Sequence, residues 1–543
     1  MRNASTRYGM RRRDFLKLSG AAAVPLVAGA GASWAAAAAA APAPAGAVRR
    51  GGTLVGAINW TYPSMDPHLT TMGVLPGYGG LFDSLVRFEL ADPKTGQHRV
   101  VGQLAESWEQ PDPRTYVFKL KRGVKFHDGS PFDAEVARWN MLRMRDHPKS
   151  AKKNYLADVE SVEARDGSTL VVRHRAARAA FLPILAYHYA AKAHILSKAA
   201  MDKMGEEGFA RNPVGSGPFR FKQWVTDDRL IVERNPNYHV TGADGKALPY
   251  LDGAVWRYIP DPTVSLVDMR AGSLHILEWV PTKDVAGIKA DPTFATYDMP
   301  WVGQVYFQVG FNTGVPPFNN VLVRRAAVLG IDREGMAKAL GFGIGVPHYY
   351  PKFMSGALGY DESLPKNEYD PAKVKALLKE AGFPDGVSVE LKVIAREPEN
   401  TIGEFVQQMW TSVGIKTKLV SMERLSWIDA VRAKNFQSCF WRGTPGGSVV
   451  DPDIQRARII CGGENNWSQF CDPEIDRLME EGGRTLDTRR RREIYRQVLA
   501  LIQDRAYLGT GILVPLVTAY RREVQGLRFD LQVADVQAVW LGS

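Results

Sequence analysis

The sequence lacks the motifs of the common catalytic and cofactor sites. It contains no GxSxG, HExxH or GxxxxGK[ST] motif, and residues 341–345 lack the glycine spacing of a dinucleotide-binding turn. The ten histidines show no metal-ligand spacing, and His188, between two tyrosines, is typical of a packed core histidine. An enzyme is the main alternative to a binding protein, and these absences argue against it. We therefore expect neither an enzyme nor a resident metal or cofactor.

The amino terminus carries the pattern of a twin-arginine export signal. Arg12-Arg13-Asp14-Phe15-Leu16-Lys17 has the required spacing, and an alanine-rich apolar run follows it to about Ala45. A membrane anchor is the alternative because residues 18–41 are long enough to span a bilayer. Alanine and glycine favour transfer out of water only weakly, and no cysteine near the cleavage region can carry a lipid. We therefore predict that residues 1–45 are removed and that the product is soluble in the periplasm of a Gram-negative bacterium.

A strong charge of one sign is also missing. Removing residues 1–45 takes away six basic residues and one acidic residue, which lowers the formal net charge from +11 to +6. The densest basic run that is left, residues 489–492, fits a solvated helix start better than a nucleic-acid contact. We therefore expect no nucleic-acid partner and a weak preference for small anionic ligands.

The chain is too long for one hydrophobic core, because single cores stop growing near about 250 to 300 residues. No long Pro- or Ser-rich linker and no internal repeat is present, so the chain is expected to cross between at least two lobes through short ordered strands. Asp370-Pro371 predicts a capped helix that ends at Gly382, and residues 416–422 predict a strand after a second helix. This alternation indicates an α/β fold.

Residues 104–135 predict two strands, a turn and a helix start. The alternation at residues 116–121 has the period-two pattern of a half-buried strand, which Gly123 ends. Residues 124–126 predict a second extended run before the turn at Asp128-Gly129, and Asp133 is expected to cap the helix.

The order of residue types in this segment resembles the signature of the family 5 extracellular solute-binding proteins, the peptide and nickel binders of ATP-driven importers. Four further segments keep the family's order: NPVGSGPFRF (212–221), FNTGVPPFNNVLVRRAAVLGIDR (311–333), LLKEAGFPDG (377–386) and FCDPEIDRL (470–478). The matches together span residues 50–520.

The resemblance implies an α/β, two-lobed periplasmic binding protein-like fold (type II, cluster C) with discontinuous lobes. After the signal peptide at 1–45, it assigns residues 46–80, 213–310 and 511–543 to the core of lobe I. Residues 81–212 are expected to form an extra subdomain of lobe I, and residues 311–510 to form lobe II. A hinge is expected near residues 309–312 and 510–516.

The resemblance also implies a disulfide between Cys461 and Cys471, because relatives in the peptide-binding branch often carry a bridge here. The two cysteines flank the loop GGENNWSQF, and an oxidising compartment permits the bond. Cys439, in an apolar run, is predicted to be a buried free thiol.

Ligand-binding residues follow from the same resemblance. Dipeptide-binding relatives place the aspartate of a Trp-x-Gly-Asp segment against the ligand's amino group, whereas this chain has Trp441-Arg442-Gly443-Thr444 and later Asp451. The aspartate is therefore replaced by Thr444 or displaced to Asp451. Those relatives also place an arginine after a strand, opposite the ligand's carboxylate, and Arg396 has that position here. A solvated loop charge is the alternative for Arg396, and ordinary core packing is the alternative for Trp441.

Trp60 and Tyr62 complete the predicted site, because they follow the strand at residues 53–58, where the family's first lobe borders its cleft. The chain thus keeps an arginine for the ligand's carboxylate and lacks the aspartate that pairs with the ligand's ammonium group. This combination changes the expected ligand, since arginine binds a carboxylate through two hydrogen bonds and a buried cation without a counter-charge is costly.

We therefore predict the periplasmic substrate-binding component of an ABC importer. It is expected to capture a small organic solute that carries a carboxylate and, as a monomer, to deliver it to an inner-membrane permease with its ATPase. The alternatives are a dipeptide or oligopeptide receptor of the same fold, and a periplasmic sensor or chaperone binding module.

Overall fold

The computed structural model describes residues 48–59, 61–70, 76–92, 97–187, 192–353, 357–443, 451–531 and 533–542. The predicted signal peptide lies outside these ranges, as do His188 and two predicted site residues, Trp60 and Thr444. Within the described ranges, no helix combines the length and the apolar composition that crossing a bilayer requires.

Strands and helices alternate along most of the described chain. The strands are β1 (Thr53–Ile58), β2 (Val86–Asp92), β3 (Gln97–Gly102), β4 (Ala105–Asp112), β5 (Thr115–Leu120), β6 (Val159–Asp166), β7 (Thr169–His174), β8 (Phe219–Val225), β9 (Arg229–Arg234), β10 (Gly253–Tyr258), β11 (Ile276–Leu277), β12 (Phe294–Phe311), β13 (Val346–Pro347), β14 (Val387–Ile394), β15 (Ile415–Met422), β16 (Ser438–Gly443), β17 (Leu508–Arg521), β18 (Val524–Gln525), β19 (Arg528–Asp530), β20 (Val533–Asp535) and β21 (Trp540–Leu541). The α-helices are α1 (Pro76–Leu81), α2 (Ala134–Asp146), α3 (Phe181–Ala186), α4 (Lys198–Arg211), α5 (Pro262–Arg270), α6 (Val285–Ala290), α7 (Val321–Leu329), α8 (Arg333–Leu340), α9 (Pro371–Glu380), α10 (Glu399–Ser412), α11 (Arg424–Arg432), α12 (Arg456–Ile459), α13 (Pro473–Arg484) and α14 (Thr488–Asp504). Short 3-10 helices span Lys153–Leu156, Thr282–Asp284 and Pro452–Gln455.

One 11-stranded sheet runs through the molecule in the order β15-β14-β16-β12-β17-β11-β1-β10-β9-β8, with β13 paired to β17. We call the part with β11, β1, β10, β9 and β8 the first half, and the part with β14, β15 and β16 the second half. The long strands β12 and β17 belong to both halves. Two long antiparallel strands therefore join the halves.

The pairing of β12 with β17 is irregular at two points. Residues 294–299 of β12 pair with residues 516–521 of β17, and the register shifts between Met299 and Gln304 and again between Tyr306 and Gln308. Residues 306–311 of β12 pair with β16. Both irregularities thus lie before the hinge segment predicted at residues 309–312, which is hydrogen-bonded inside the second half as far as Phe311. The other predicted hinge segment, residues 510–516, pairs with residues 299–308 of β12.

A second sheet, β4-β5-β7-β6, packs with α2 and α3 around its own apolar core and forms the four-stranded subdomain (residues 105–186). It is tied to the first half, because the His127 N–H donates to the Gly215 carbonyl at 2.9 Å, just before β8, and Nη2 of Arg143 on α2 donates to Oδ2 of Asp66, after β1, at 2.7 Å. The subdomain falls inside the range predicted as an extra subdomain of lobe I.

The predicted local elements of residues 104–135 are mostly confirmed. β5 covers the alternating residues, Gly123 has φ 76°, and Oδ1 of Asp133 accepts a hydrogen bond from the Val136 N–H at 2.9 Å at the start of α2. The extended run predicted at residues 124–126 forms only an isolated bridge, Lys125 to Pro131. Across the turn at Gly129, the Phe126 N–H donates to the Ser130 carbonyl and the Phe132 N–H to the Val124 carbonyl, so the run forms only a short pairing.

Separate apolar cores support the two halves. In the second half, α7, α9 and α10 cover β14 and β12 with side chains such as Val323, Val374, Val406 and Trp410. The first half has a core on each face of its sheet, one around Trp256 and the other around Met269 and Leu277. Each half therefore has an apolar core of its own.

Candidate ligand-binding cleft

Two groups of parallel strands point their carboxyl ends toward each other. β12 runs from the first half into the second, and β1, β10 and β11 run in the same direction, because β11 and β12 are both antiparallel to β17. β14, β15 and β16 run the opposite way, because β16 is antiparallel to β12. Ligands of α/β proteins bind outside the carboxyl ends of parallel strands. The two facing edges therefore form the candidate cleft.

Arg396 lies at the cleft edge of the second half, just after β14. Its Nε and Nη2 donate to Oε1 of Glu399 at 3.0 and 2.7 Å. The Glu399 side chain is fully buried, whereas the Arg396 side chain is 36% exposed. Glu399 therefore fixes the guanidinium at the cleft edge, where the Arg396 side chain is partly exposed.

Arg424 is a second cation at the same edge, and the sequence analysis did not identify it. It begins α11, directly after β15, where Glu423 caps the helix by accepting from the Leu425 N–H at 2.7 Å. Partial desolvation and the nearby charge of Arg396 lower the pKa of the Arg424 guanidinium. Arg396 and Arg424 thus place two cations at one edge of the candidate cleft, and Tyr258 ends β10 at the opposite edge.

Tyr62 is packed beneath the cleft edge of the first half. Its ring is buried and meets Tyr78 edge-on at 5.3 Å, and its hydroxyl accepts from the Gly77 N–H at 3.1 Å. Trp441 and Arg442 lie in β16, paired with Gln308 and Phe307 of β12, and their side chains lie outside what the structure describes.

Asp451 is buried and forms an ion pair with Arg491. Its two carboxylate oxygens accept a bidentate pair of hydrogen bonds from Arg491 at 2.8 and 2.9 Å, and Oδ1 also caps the 3-10 helix by accepting from the Asp453 N–H at 3.0 Å. Burial raises the pKa of the Asp451 carboxyl group, and the Arg491 charge opposes that rise. The structure therefore places the carboxylate against Arg491, with no oxygen left unbonded for a ligand amine.

Glu278 is an acidic residue at the cleft edge of the first half that the sequence analysis missed. It follows β11 directly, and its Oε1 is buried without a hydrogen-bond partner among the described residues. Burial raises the pKa of Glu278 to about 8. The signal in the sequence is an acidic residue placed directly after the apolar residues of a strand, in LHILEWV.

The four-stranded subdomain touches the second half beside the cleft. Nη2 of Arg178 lies 3.3 Å from Oδ2 of Asp453, and the Ala179 N–H donates to the Gly483 carbonyl at 3.1 Å. Ile454 packs into the subdomain's core. The Asp453 side chain is fully buried, and neither of its oxygens accepts a hydrogen bond within the described part of the chain.

Cys461 and Cys471 form a disulfide with a Cα–Cα distance of 4.4 Å, which confirms the predicted bridge. Cys439 is a buried free thiol, as predicted. In the ranges that the structure describes, no group of three or more His, Cys, Asp or Glu side chains is placed to hold a metal ion.

Comparison with known sequences gives one matching family. Residues 99–459 match the model of the middle region of the bacterial extracellular solute-binding proteins, family 5. The Dipeptide-binding protein of Escherichia coli (strain K12) is 27% identical over 522 residues, which cover 88% of this chain and 92% of that protein.

Solved structures give the same result. The periplasmic binding protein DppA of Helicobacter pylori, in complex with the peptide STSA, aligns with a TM-score of 0.78 and 25% identity. The alignment covers 91% of this chain and 99% of the DppA chain. The binding protein AgaA of A. tumefaciens R10, in complex with agropinic acid, has a TM-score of 0.76 and 23% identity, covering 91% and 99%. These likenesses give the two-lobed periplasmic binding protein fold.

Proposed function

Because the chain belongs to the family 5 bacterial extracellular solute-binding proteins, the substrate-binding components of ABC importers, we propose that it captures a small organic solute carrying a carboxylate. The solute is held between the two lobes and delivered to an inner-membrane permease with its ATPase.

The observation that carries the carboxylate proposal is the pair of arginines at one cleft edge. Arg396 and Arg424 each follow a parallel strand of the second half, and Glu399 holds the Arg396 guanidinium. A guanidinium offers a planar fork of donors that fits a carboxylate, so two of them at one edge favour an anionic group of the ligand. Asp451 supports the same reading, because its bond to Arg491 removes it as an ammonium partner.

Closure follows from the way that the halves are joined. We assign lobe I to residues 46–80, 213–310 and 511–543 with the subdomain 81–212, lobe II to residues 311–510, and the hinge to residues 309–312 and 510–516, next to the register shift between Tyr306 and Gln308. A ligand that touches Arg396 and the opposite edge binds the closed form better than the open form. Its binding free energy therefore shifts the population toward the closed form, which docks on the permease.

A dipeptide or oligopeptide receptor is the second candidate. Two relatives favour it: the E. coli protein is named for dipeptides, and the H. pylori structure contains a peptide. A peptide also carries a carboxylate, so the arginine edge suits both candidates. What separates them is whether the ligand's other end is a peptide amine.

We also propose that the protein reaches the periplasm by the twin-arginine route and works there as a soluble monomer. The pair Arg12-Arg13 and the apolar run after it support the route. Family members act outside the cytoplasm, which agrees with this placement.

Native mass spectrometry of protein purified from the periplasm of its own bacterium tests the proposal. We expect a mass increment from one retained small solute, which denaturation releases and which rebinds to stripped protein with one-to-one stoichiometry in calorimetry. An Arg396→Ala variant prepared in parallel should retain less of it. A released peptide would favour the second candidate, and a retained solute without an acidic group would contradict the carboxylate proposal.

A further inference from the structure

Glu278 is placed where the first half meets the candidate cleft. Side chains alternate along β11, with Ile276 in the core on one face of the sheet and Leu277 in the core on the other. Glu278 therefore returns to the face that holds Tyr62 and Ala534, at the carboxyl end of a strand that points toward the second half.

The backbone beside Glu278 is constrained. Trp279 has φ 67°, in the left-handed region that a bulky side chain adopts only when its surroundings impose it. Such outliers cluster at ligand sites because the strain fixes a neighbouring group in position. Here the strained residue directly follows the carboxylate, so the turn after β11 holds Glu278 at the cleft edge.

The carboxyl group is poorly compensated within the described part of the protein. The residue is partly exposed, yet its Oε1 is buried without a hydrogen bond among the described residues, and no cation contributes to the pKa shift of Glu278. Tyr62 is the titratable side chain that faces it, and the Ala534 backbone only partly offsets the rise in its pKa. Burying an acid without a partner costs free energy, and a cationic group brought by a ligand would remove that cost.

We propose that Glu278 is a ligand-binding residue that receives a protonated amine, across the cleft from Arg396 and Arg424. The two edges then carry opposite charges, and the ligand class is an amino-carboxylate with its amine toward the first half and its carboxylate toward the second. The acidic partner that relatives place near position 444 is thus supplied by the other lobe. This inference rests on the proposed function, because it concerns the same cleft.

A zwitterion with separated ends explains how such a ligand would drive closure. An anion alone is satisfied by the arginine edge of the second half, even when the cleft is open. A molecule with both charges gains its second ion pair only when the two edges approach. Glu278 therefore makes closure depend on the ligand carrying an amine as well as a carboxylate.

The test uses L-alanyl-L-alanine and N-acetyl-L-alanyl-L-alanine, which share the carboxylate and differ in the amine. Isothermal calorimetry measures both with wild type, Glu278→Gln and the control Glu380→Gln, whose side chain is exposed on α9. We expect wild type and the control to prefer the free amine by about 30-fold or more, and Glu278→Gln to bind both compounds within about threefold.

Proton release gives a second readout that a merely structural role would not produce. At a slightly acidic pH the buried acid is protonated, so an arriving ammonium group must displace its proton. The observed binding enthalpy of L-alanyl-L-alanine should then differ between phosphate and Tris buffers. The difference should correspond to the release of close to one proton per ligand bound, and it should vanish in Glu278→Gln.

The outcomes separate this inference from the proposed function. Equal binding of the two compounds by wild type, or an unchanged preference in Glu278→Gln, overturns the role of Glu278 even if a solute is retained in native mass spectrometry. Binding of neither compound at millimolar concentration overturns the amine assignment in the same way. Loss of all retained solute from wild-type protein would instead contradict the proposed function.

Discussion

Replacing Arg178 with alanine tests which parts of the molecule move together. Arg178 belongs to the four-stranded subdomain, which is tied to the first half, whereas its partner Asp453 belongs to the segment that packs on the second half. If the subdomain moves with lobe I, opening the cleft separates this pair, and the variant should lose stability only in the closed form. The measured affinity for a ligand should then fall.

The magnitude follows from burial. Removing one partner of a buried ion pair costs about 3 to 5 kcal/mol, because the other charge is left without compensation. The Arg178 side chain is 12% exposed and Asp453 is fully buried, but Nη1 of Arg456 stays 4.0 Å from Asp453 Oδ1 and offsets part of the loss. We therefore expect about 2 to 3 kcal/mol, equivalent to about 30- to 150-fold in affinity.

The assay is calorimetry with the solute identified by native mass spectrometry, together with thermal unfolding of the ligand-free protein. The control is Asp158→Ala, which removes the exposed outer partner that lies 3.0 Å from Arg178, and it should change affinity by less than about threefold. An Arg178→Ala protein that is less stable but binds as wild type would show that the pair persists when the cleft opens. That result would refute the assignment of residues 81–212 to lobe I.

Three further predictions concern single features of the chain. Arg396→Ala should weaken binding of a carboxylate-bearing solute by about 30-fold or more in calorimetry, and an unchanged affinity would place the guanidinium in solvent. Replacing Cys461 and Cys471 together with serine should cost about 2 to 3 kcal/mol in denaturant unfolding, and peptide mapping without reductant should find both thiols joined in wild type. Changing Arg12-Arg13 to Lys-Lys should leave precursor in the cytoplasm on fractionation, whereas an unchanged periplasmic yield would indicate the general secretory route.

Local structure could be predicted where neighbouring residues decide it. The cap at Asp133, the helix that begins after Asp370 and the strand at residues 415–422 depend on patterns a few residues long, and each is present. The run at residues 124–126 was predicted as extended because its residue types favour strands. It pairs only with residues 130–132 across its own turn, and whether such a pairing extends into a ladder depends on the whole fold.

The site was harder to predict because its charges are set by distant partners. Asp451 comes a few residues after position 444, where the relatives have their ligand-binding aspartate. Its charge is nevertheless compensated by Arg491, 40 residues later, on a helix that only folding brings near. Glu278 carries no motif, and its importance comes from the direction of β11 and the burial of Oε1. Arg396 could be placed by resemblance, but the buried Glu399 that holds it was not identified from the sequence.

The central position of β17 sets an order for folding during synthesis. This strand pairs with β12 and β11, which lie near the middle of the sheet, yet it is translated long after them. At typical synthesis rates of about 5 to 20 residues per second, the ribosome needs roughly 10 to 50 s to pass from Leu277 to Leu508. During that interval β11 has no neighbour on its β17 side, and both halves present unpaired strand edges. The nascent chain is therefore expected to require a chaperone until β17 emerges, and only then can the sheet close.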